Sequence, residues 1–230
     1  MIAAHLDEIL RRLPDDAALL DVGGWAAPLE RADWVIDLLP HETRGLYGTS
    51  DPERERFSAA TWVQRDICDR EPWPFTDDQF DYVICAQTLE DVRDPVFVCS
   101  EMARIAKAGY LETPSWRAEL RHRVNGPWTG YSHHRWLVRC DQDAAHAEFV
   151  FKFGTVHSEP YRMPHHELTE AEANAWLWWE GSFTAAERII MEPAELDAEL
   201  RAFVAANAPA SRTPARRGAR ARAALRRRSP

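Results

Sequence analysis

The sequence lacks any uninterrupted apolar run long enough to cross a membrane as a helix, so no membrane span is expected. It has only four cysteines, Cys68, Cys85, Cys99 and Cys140, with no CxxC pairing and no small-domain spacing. Reduced, packed thiols in a cytoplasmic protein are therefore expected. The opening stretch MIAAHLDEILRRL has no signal-peptide layout and reads instead as an amphipathic helix. No internal repeat is evident. Excess positive charge is also missing. The formal net charge is −9, and residues 212–230 hold eight arginines and no acid, so the rest of the chain is more acidic still. Such a body is a poor partner for nucleic acid.

What is present is ordinary for a globular protein: 230 residues, 45% hydrophobic and 28% charged. That length suits one domain with appendages. The organising stretch is DAALLDVGG, residues 16–24, an apolar run that breaks at Asp21 and then at Gly23 and Gly24. A buried parallel strand ending in a tight turn has this pattern. Three further strand-like runs each carry an acid: WVIDL with Asp37, WVQRDI with Asp66 and FDYVIC with Asp81. Asp81 stands before its strand and reads as structural. Open α/β sheets bind ligands at the carboxyl edge of their strands.

Between the first strand (about 18–22) and the second (about 34–38) stand eleven residues rich in glycine and proline. A crossover normally needs a dozen or more, so this one reads as a loop. Residues 40–61 read as a polar segment with at most a short helix, and strands follow at about 61–67, 80–85 and 109–113. Apolar spacing over 95–107 predicts a helix stopped by Gly109. Residues 115–124 also look helical. RWLVRC (135–140) and AEFVFKF (147–153) suggest an antiparallel pair on the sheet edge. Thr169 and Glu172 make a capping-box signature for a helix to about Trp179, and a last helix covers about 194–206. The expected fold is α/β: a Rossmann-like, doubly wound, mostly parallel sheet with an antiparallel edge pair and C-terminal helices. The expected division is a domain over 1–208, with a core at 18–114 and an acceptor-side region at 115–208, then a basic disordered tail at 209–230.

LLDVGG, FDYVICAQTLEDVRDP and EMARIAKAGYLETPS, taken in order, resemble the class I S-adenosylmethionine-dependent methyltransferases of the small-molecule type. The resemblance covers 18–114 and implies S-adenosylmethionine as cofactor. It implies that Asp21 lies near the methionine moiety and that Gly23 and Gly24 let the backbone approach it. Asp37 is expected to hold the ribose hydroxyls. Asp66 and the backbone of Ile67 are expected at the adenine amino group, and Gln87 at the methionine part or the acceptor. Trp25 and Ala27 occupy later glycine positions of the family motif, and Trp25 is a candidate cover for the cofactor. Asp91 stands where the family often has a histidine.

Family members build the acceptor site after the fourth and fifth strands, which points to NGPWTGYSHHRW, 125–136. Methyl transfer to an alcohol needs a general base, and His134, then His133, are the candidates. Neither this pair nor His165–His166 has metal-ligand spacing with an acid nearby in the sequence. No metal is assigned, Asp91, Asp94 and the histidines being the only candidates. Ten tryptophans and an acidic body favour a neutral, hydroxyl-rich acceptor such as a sugar or glycan. Two alternatives stand. A nicotinamide-dependent enzyme expects GxGxxG, which GGWAAP does not supply. A non-catalytic cofactor-binding sensor is the other.

Overall fold

The apolar runs that end in acids form the middle of a six-stranded sheet. A computed structural model describes residues 1–46, 48, 51–124, 126–163 and 167–207 of the chain. After helix α1 (Ala3–Arg12) come strands β1 (Leu19–Val22), β2 (Trp34–Asp37), β3 (Trp62–Gln64) and β4 (Tyr82–Ala86). Helix α2 (Pro95–Ile105) and strand β5 (Ala108–Pro114) complete the parallel part. The sheet order is β3-β2-β1-β4-β5-β8, with β8 (Asn174–Glu180) antiparallel to β5. Alternation along the strands divides the core. Leu20, Val22, Val83, Cys85 and Leu111 face Val98 and Met102 of α2. Leu19, Val35, Ile84 and Tyr110 pack with Ile9 of α1 on the opposite face. Helix α2 starts sharply because Asp94 accepts from Phe97 N at 3.0 Å and Pro95 needs no donor there.

The first crossover is abbreviated, as its composition predicts: it holds one 3₁₀ turn, Gly24–Ala26. The 40–61 segment likewise holds one, His41–Thr43, in its described part. A buried ion pair, Arg44 to Glu55 at 2.6 Å, fastens that segment, and Gly45 N donates to Trp25 O at 2.8 Å.

Three expectations need correction. RWLVRC and AEFVFKF do pair antiparallel, as β6 (Trp136–Asp141) and β7 (His146–Phe151), but not on the edge of the main sheet. They form a separate three-stranded sheet with β9 (Thr184–Arg188), which runs parallel to β7. Both faces of that sheet are apolar. Val138, Ala147 and Phe149 join the core around α2, while Leu137 and Val150 pack under α5 (Pro193–Asn207). The antiparallel edge of the main sheet is instead β8, from residues read as helix. The Thr169 capping box is real, but helix α4 (Glu170–Ala173) is one turn long. Asn174-Ala-Trp-Leu-Trp-Trp then alternates, with Leu177 and Trp179 on one face and Trp176 and Trp178 on the other. Aromatic side chains favour that pleated arrangement over a further helical turn. Finally, only Trp116–Glu119 of the 115–124 stretch is helical (α3). The tail from 209 and the pair His165–His166 lie outside the described residues.

Candidate active site

A cleft of 830 Å³ opens at the carboxyl ends of β1, β2 and β4, where the parallel strands release their chain into loops. Its walls include Gly23, Trp25, Asp37, Asp66, Ile67 and Gln87, six of the residues expected around a cofactor, together with His133 and His134. Strands 1, 2 and 4 and the loop that starts β6 therefore bring both halves of the expected site together.

Asp37 closes β2 and is 8% exposed. Its carboxylate accepts from Trp25 N at 3.0 Å and Leu39 N at 2.8 Å. Burial raises its pKa against those backbone bonds. A carboxylate has about four acceptor positions, so the backbone donors leave acceptor capacity for a ribose hydroxyl. Trp25 lines the same cleft, its indole nitrogen donating to Thr43 Oγ1 at 2.9 Å. Asp66 lies past β3 and is pinned by Arg93 Nη1 at 2.5 Å and Cys68 N at 2.9 Å. The Arg93 hydrogen bond lowers its pKa. Gln87, at φ 57, turns the chain in the left-handed region directly after β4. Its side-chain nitrogen donates to Glu112 Oε1 at 3.1 Å and Asn174 Oδ1 at 2.9 Å, so both of its protons are used within the protein.

Asp21 and Gly24 do not line this cleft. They line a second, larger cleft of 1020 Å³ between α1 and the abbreviated crossover. The two clefts meet at Gly23, Ala26 and Gln87, and the smaller one holds Asp37, Asp66 and the histidines, which the larger does not. Asp21 turns back under the loop and accepts from Leu29 N at 2.9 Å. Burial raises its pKa to about 7, Asp37 adding to the rise. The glycines make room for the protein itself: a Cβ on Gly24 would meet the Asp21 carboxylate, and one on Gly23 the Thr88 side chain. Gly23 also has φ +76, which disfavours any side chain there.

On the acceptor side the loop before β6 is sewn to the loop after β4. Arg135 N and Trp136 N both donate to Glu90 O, at 2.7 and 3.2 Å, and the Trp136 indole donates to Val92 O at 2.8 Å. This sets His134, 9% exposed, at the cleft wall. Its Nδ1 meets the fully buried Glu119, its ring stacks on Tyr131 at 4.3 Å, and its Nε2 lies 4.0 Å from Asp91 Oδ1. The other oxygen of Glu119 takes the buried Lys152 Nζ at 2.5 Å, and Lys152 also donates to Tyr131 O at 2.6 Å. His133 lies beside His134, ring centroids 4.4 Å apart. Glu90, 2% exposed, lines the same wall, and burial pushes its carboxyl well above the ordinary range.

Glu119, Lys152, Glu90 and Arg93 were not among the expected site residues. A signal existed for two of them: Lys152 interrupts the apolar run FVFKF, and Glu119 sits among apolar residues in SWRAEL. A charge inside an apolar run implies a buried partner. The acid missing beside the histidine pair is also present, since the fold brings Asp91 to it from 42 positions away in His133 and 43 in His134.

The parallel order, the acid closing β2 and the cleft at the strand ends define the fold of the class I S-adenosylmethionine-dependent methyltransferases. Residues 4–137 match the family described as Methionine biosynthesis protein MetW, and the chain belongs to that family. No curated protein sequence matches it. Among solved structures, it is similar to the YcgJ protein from Bacillus subtilis (20% identity, TM-score 0.38, 48% of this chain and 50% of that one). It is also similar to a putative methyltransferase from Bacillus halodurans (21%, 0.37, 49% and 52%). A third is the complex between the Haloferax volcanii Trm112 methyltransferase activator and a putative methyltransferase (21%, 0.35, 48% and 51%). The chain spans about half the length of these structures.

Proposed function

We propose that the protein transfers a methyl group from S-adenosylmethionine to a hydroxyl of a small molecule, with a sugar or glycan as the leading acceptor class. The observation that carries this reading is the clamped His134 on the same cleft wall system as Asp37. Asp37, with acceptor capacity to spare, would hold the ribose diol. Trp25 would flank the nucleoside, and Asp66 with Ile67 would meet the adenine edge. When bound, the cofactor supplies an electrophilic methyl on a sulfonium, whose positive charge suits a cleft walled by acids.

His134 is the general base. Its Nδ1–H donates to Glu119, which leaves the Nε2 lone pair for the acceptor hydroxyl. With the cofactor supplying the methyl group and retaining the sulfur electron pair, Nε2 would take the proton that the acceptor hydroxyl gives up. Glu119 below the ring and Asp91 beside it both favour the imidazolium that results. Lys152 and the Tyr131 stack fix the ring, so the base is positioned before the acceptor arrives. His133, at the mouth, is the second contact for the acceptor.

The domain division at about 208 and a cytoplasmic setting belong to the same reading. The four cysteines, all free, suit a reducing compartment. No helix among the described residues is long and apolar enough to cross a membrane.

Calorimetry with S-adenosylhomocysteine and with NAD(H) tests the cofactor, and transfer of labelled methyl to panels of sugars, phenols and amines tests the acceptor. Binding of the first nucleoside without transfer to any acceptor would favour a non-catalytic sensor. Full turnover by His134→Ala on the true acceptor would remove the base assignment.

A further inference from the structure

We propose that Asp91, His133 and His134 form a binding site for a divalent transition-metal ion at the acceptor end of the cleft. One ligand atom from each lies within 4.8 Å of the others. Two donors that each stand about 2.1 Å from an ion can be at most about 4.2 Å apart. His134 Nε2 and Asp91 Oδ1, at 4.0 Å, fall inside that limit, and a tetrahedral site, whose donors stand about 3.4 Å apart, needs all three side chains to draw in by roughly 1 Å.

Two independent features point to a ligand. The first is Asp91 Oδ1, an atom shielded from solvent within a side chain that is otherwise 42% exposed, and without a hydrogen-bond partner in the protein although it faces the His134 ring. A buried acceptor without a partner carries a desolvation penalty, which a cation between it and Nε2 would remove. The second is the treatment of the far side of the His134 ring. Metal-bound histidines almost always donate their other N–H to a carboxylate or carbonyl, which fixes the tautomer and raises the basicity of the ligating nitrogen. Glu119 does this here, is fully buried, and is itself held by Lys152.

The surroundings offer a further oxygen. Glu90 lies on the same wall as Asp91, and its Oε2 is another buried oxygen without a hydrogen-bond partner. Two imidazoles and one carboxylate suit Zn²⁺, Co²⁺ or Ni²⁺ better than Mg²⁺ or Ca²⁺. All three side chains line the cleft, so the remaining coordination positions face the cavity. With the ion in place, His134 Nε2 is a ligand and cannot accept a proton, so ion and proton compete for one lone pair. The inference stands on this geometry and not on methyl transfer.

The test uses the untagged full chain, stripped with a chelator, titrated with Zn²⁺ by calorimetry and with Co²⁺ by visible absorption. One equivalent is expected at micromolar metal, with Co²⁺ ligand-field bands of a low-coordinate site. His133→Ala and Asp91→Ala are each expected to weaken binding roughly tenfold or more. His146→Ala, at a histidine outside the cleft, is expected to leave it unchanged. Because both single variants alter side chains at the cleft mouth, circular dichroism of each establishes that the fold persists. Absence of one-equivalent binding, retention of full affinity in both single variants, or loss of it in the His146 variant would each overturn the proposal. S-adenosylhomocysteine binding, measured on the same samples, separates this outcome from the fate of the methyltransferase reading.

Discussion

Glu119 and His134 lie fifteen residues apart, on α3 and on the loop before β6, and meet in the interior with Lys152 closing the other side of the carboxylate. Both Glu119 and Lys152 are fully shielded at their side chains, so each charge depends on the other. Removing one partner of a buried pair leaves an uncompensated charge and costs about 3–5 kcal/mol. Glu119→Ala is therefore expected to lower the urea midpoint strongly, and Glu119→Ala/Lys152→Met to recover much of the loss. If the double variant is no more stable than the single one, the pair is not what holds this wall together.

On the proposed mechanism, the same carboxylate fixes the His134 tautomer. Lys152→Met keeps the Glu119–His134 hydrogen-bond partners but leaves Glu119 uncompensated, so it is expected to lower stability while S-adenosylhomocysteine affinity of the folded protein stays within a few-fold. His134→Ala is expected to lower kcat by roughly 10²–10⁴-fold with little change in that affinity. Steady-state kinetics beside calorimetry reads the split. A parallel loss of cofactor affinity in His134→Ala would assign the residue to binding and not to proton transfer.

Asp37 gives a cofactor-side prediction. A hydrogen bond to a charged group contributes about 1.5–3 kcal/mol. Asp37→Asn keeps one oxygen for Trp25 N or Leu39 N but loses the charge. S-adenosylhomocysteine is expected to bind roughly tenfold to a hundredfold more weakly. Asp66→Asn, at a carboxylate already engaged by Arg93, is expected to have the smaller effect. The reverse order would move the principal anchor from the ribose to the base.

Asp21 predicts a pH dependence of stability. Its folded pKa is raised to about 7 by burial, above the ordinary 3.8. Between those values the folded state binds more protons than the unfolded state, so stability falls as pH rises from about 4 to about 7 and is flat above that. The contribution is at most about 4 kcal/mol. Asp21→Asn can still accept from Leu29 N and is expected to flatten that slope, with its largest relative gain at pH 8. Parallel denaturation curves at pH 5 and pH 8 measure it. An unchanged slope would mean that water reaches the carboxylate.

Much of this was legible in the chain because strand ends and turns are local. Asp37, Gly23 and the eleven-residue crossover declare themselves by residue type and spacing, and the cleft follows from strand order. What local patterns could not fix was which way a side chain turns at a strand end. Asp21 folds back under its own loop because the missing crossover helix leaves Leu29 N there to be satisfied. Nor could they separate a helix from a strand in Asn174–Glu180, where the capping box gave a true start and the tryptophans a different continuation. The acceptor wall was half legible: the histidines stood out, but Glu119 on α3 and Asp91 on the loop after β4 reach them only through tertiary contacts.

The edge made by those tryptophans supports a last prediction. Strand β8 ends the main sheet, and an unpaired edge invites pairing with another chain. Gln142, in the turn between β6 and β7, covers part of it. Its side-chain nitrogen donates to Trp176 O at 2.7 Å and its oxygen accepts from Trp178 N at 3.2 Å, in place of a neighbouring strand. Both bonds are solvent-exposed, so Gln142→Ala is expected to destabilise by only about 1 kcal/mol. Gln142→Glu keeps the size but cannot donate, and it sets a carboxylate against the Trp176 carbonyl. It is expected to be the less stable of the two and to self-associate no more than the wild type, since its charge guards the edge. Gln142→Ala removes cover without adding charge and is expected to self-associate more. Sedimentation velocity on the two variants reads that difference, and equal association would mean that the amide is not what protects the edge.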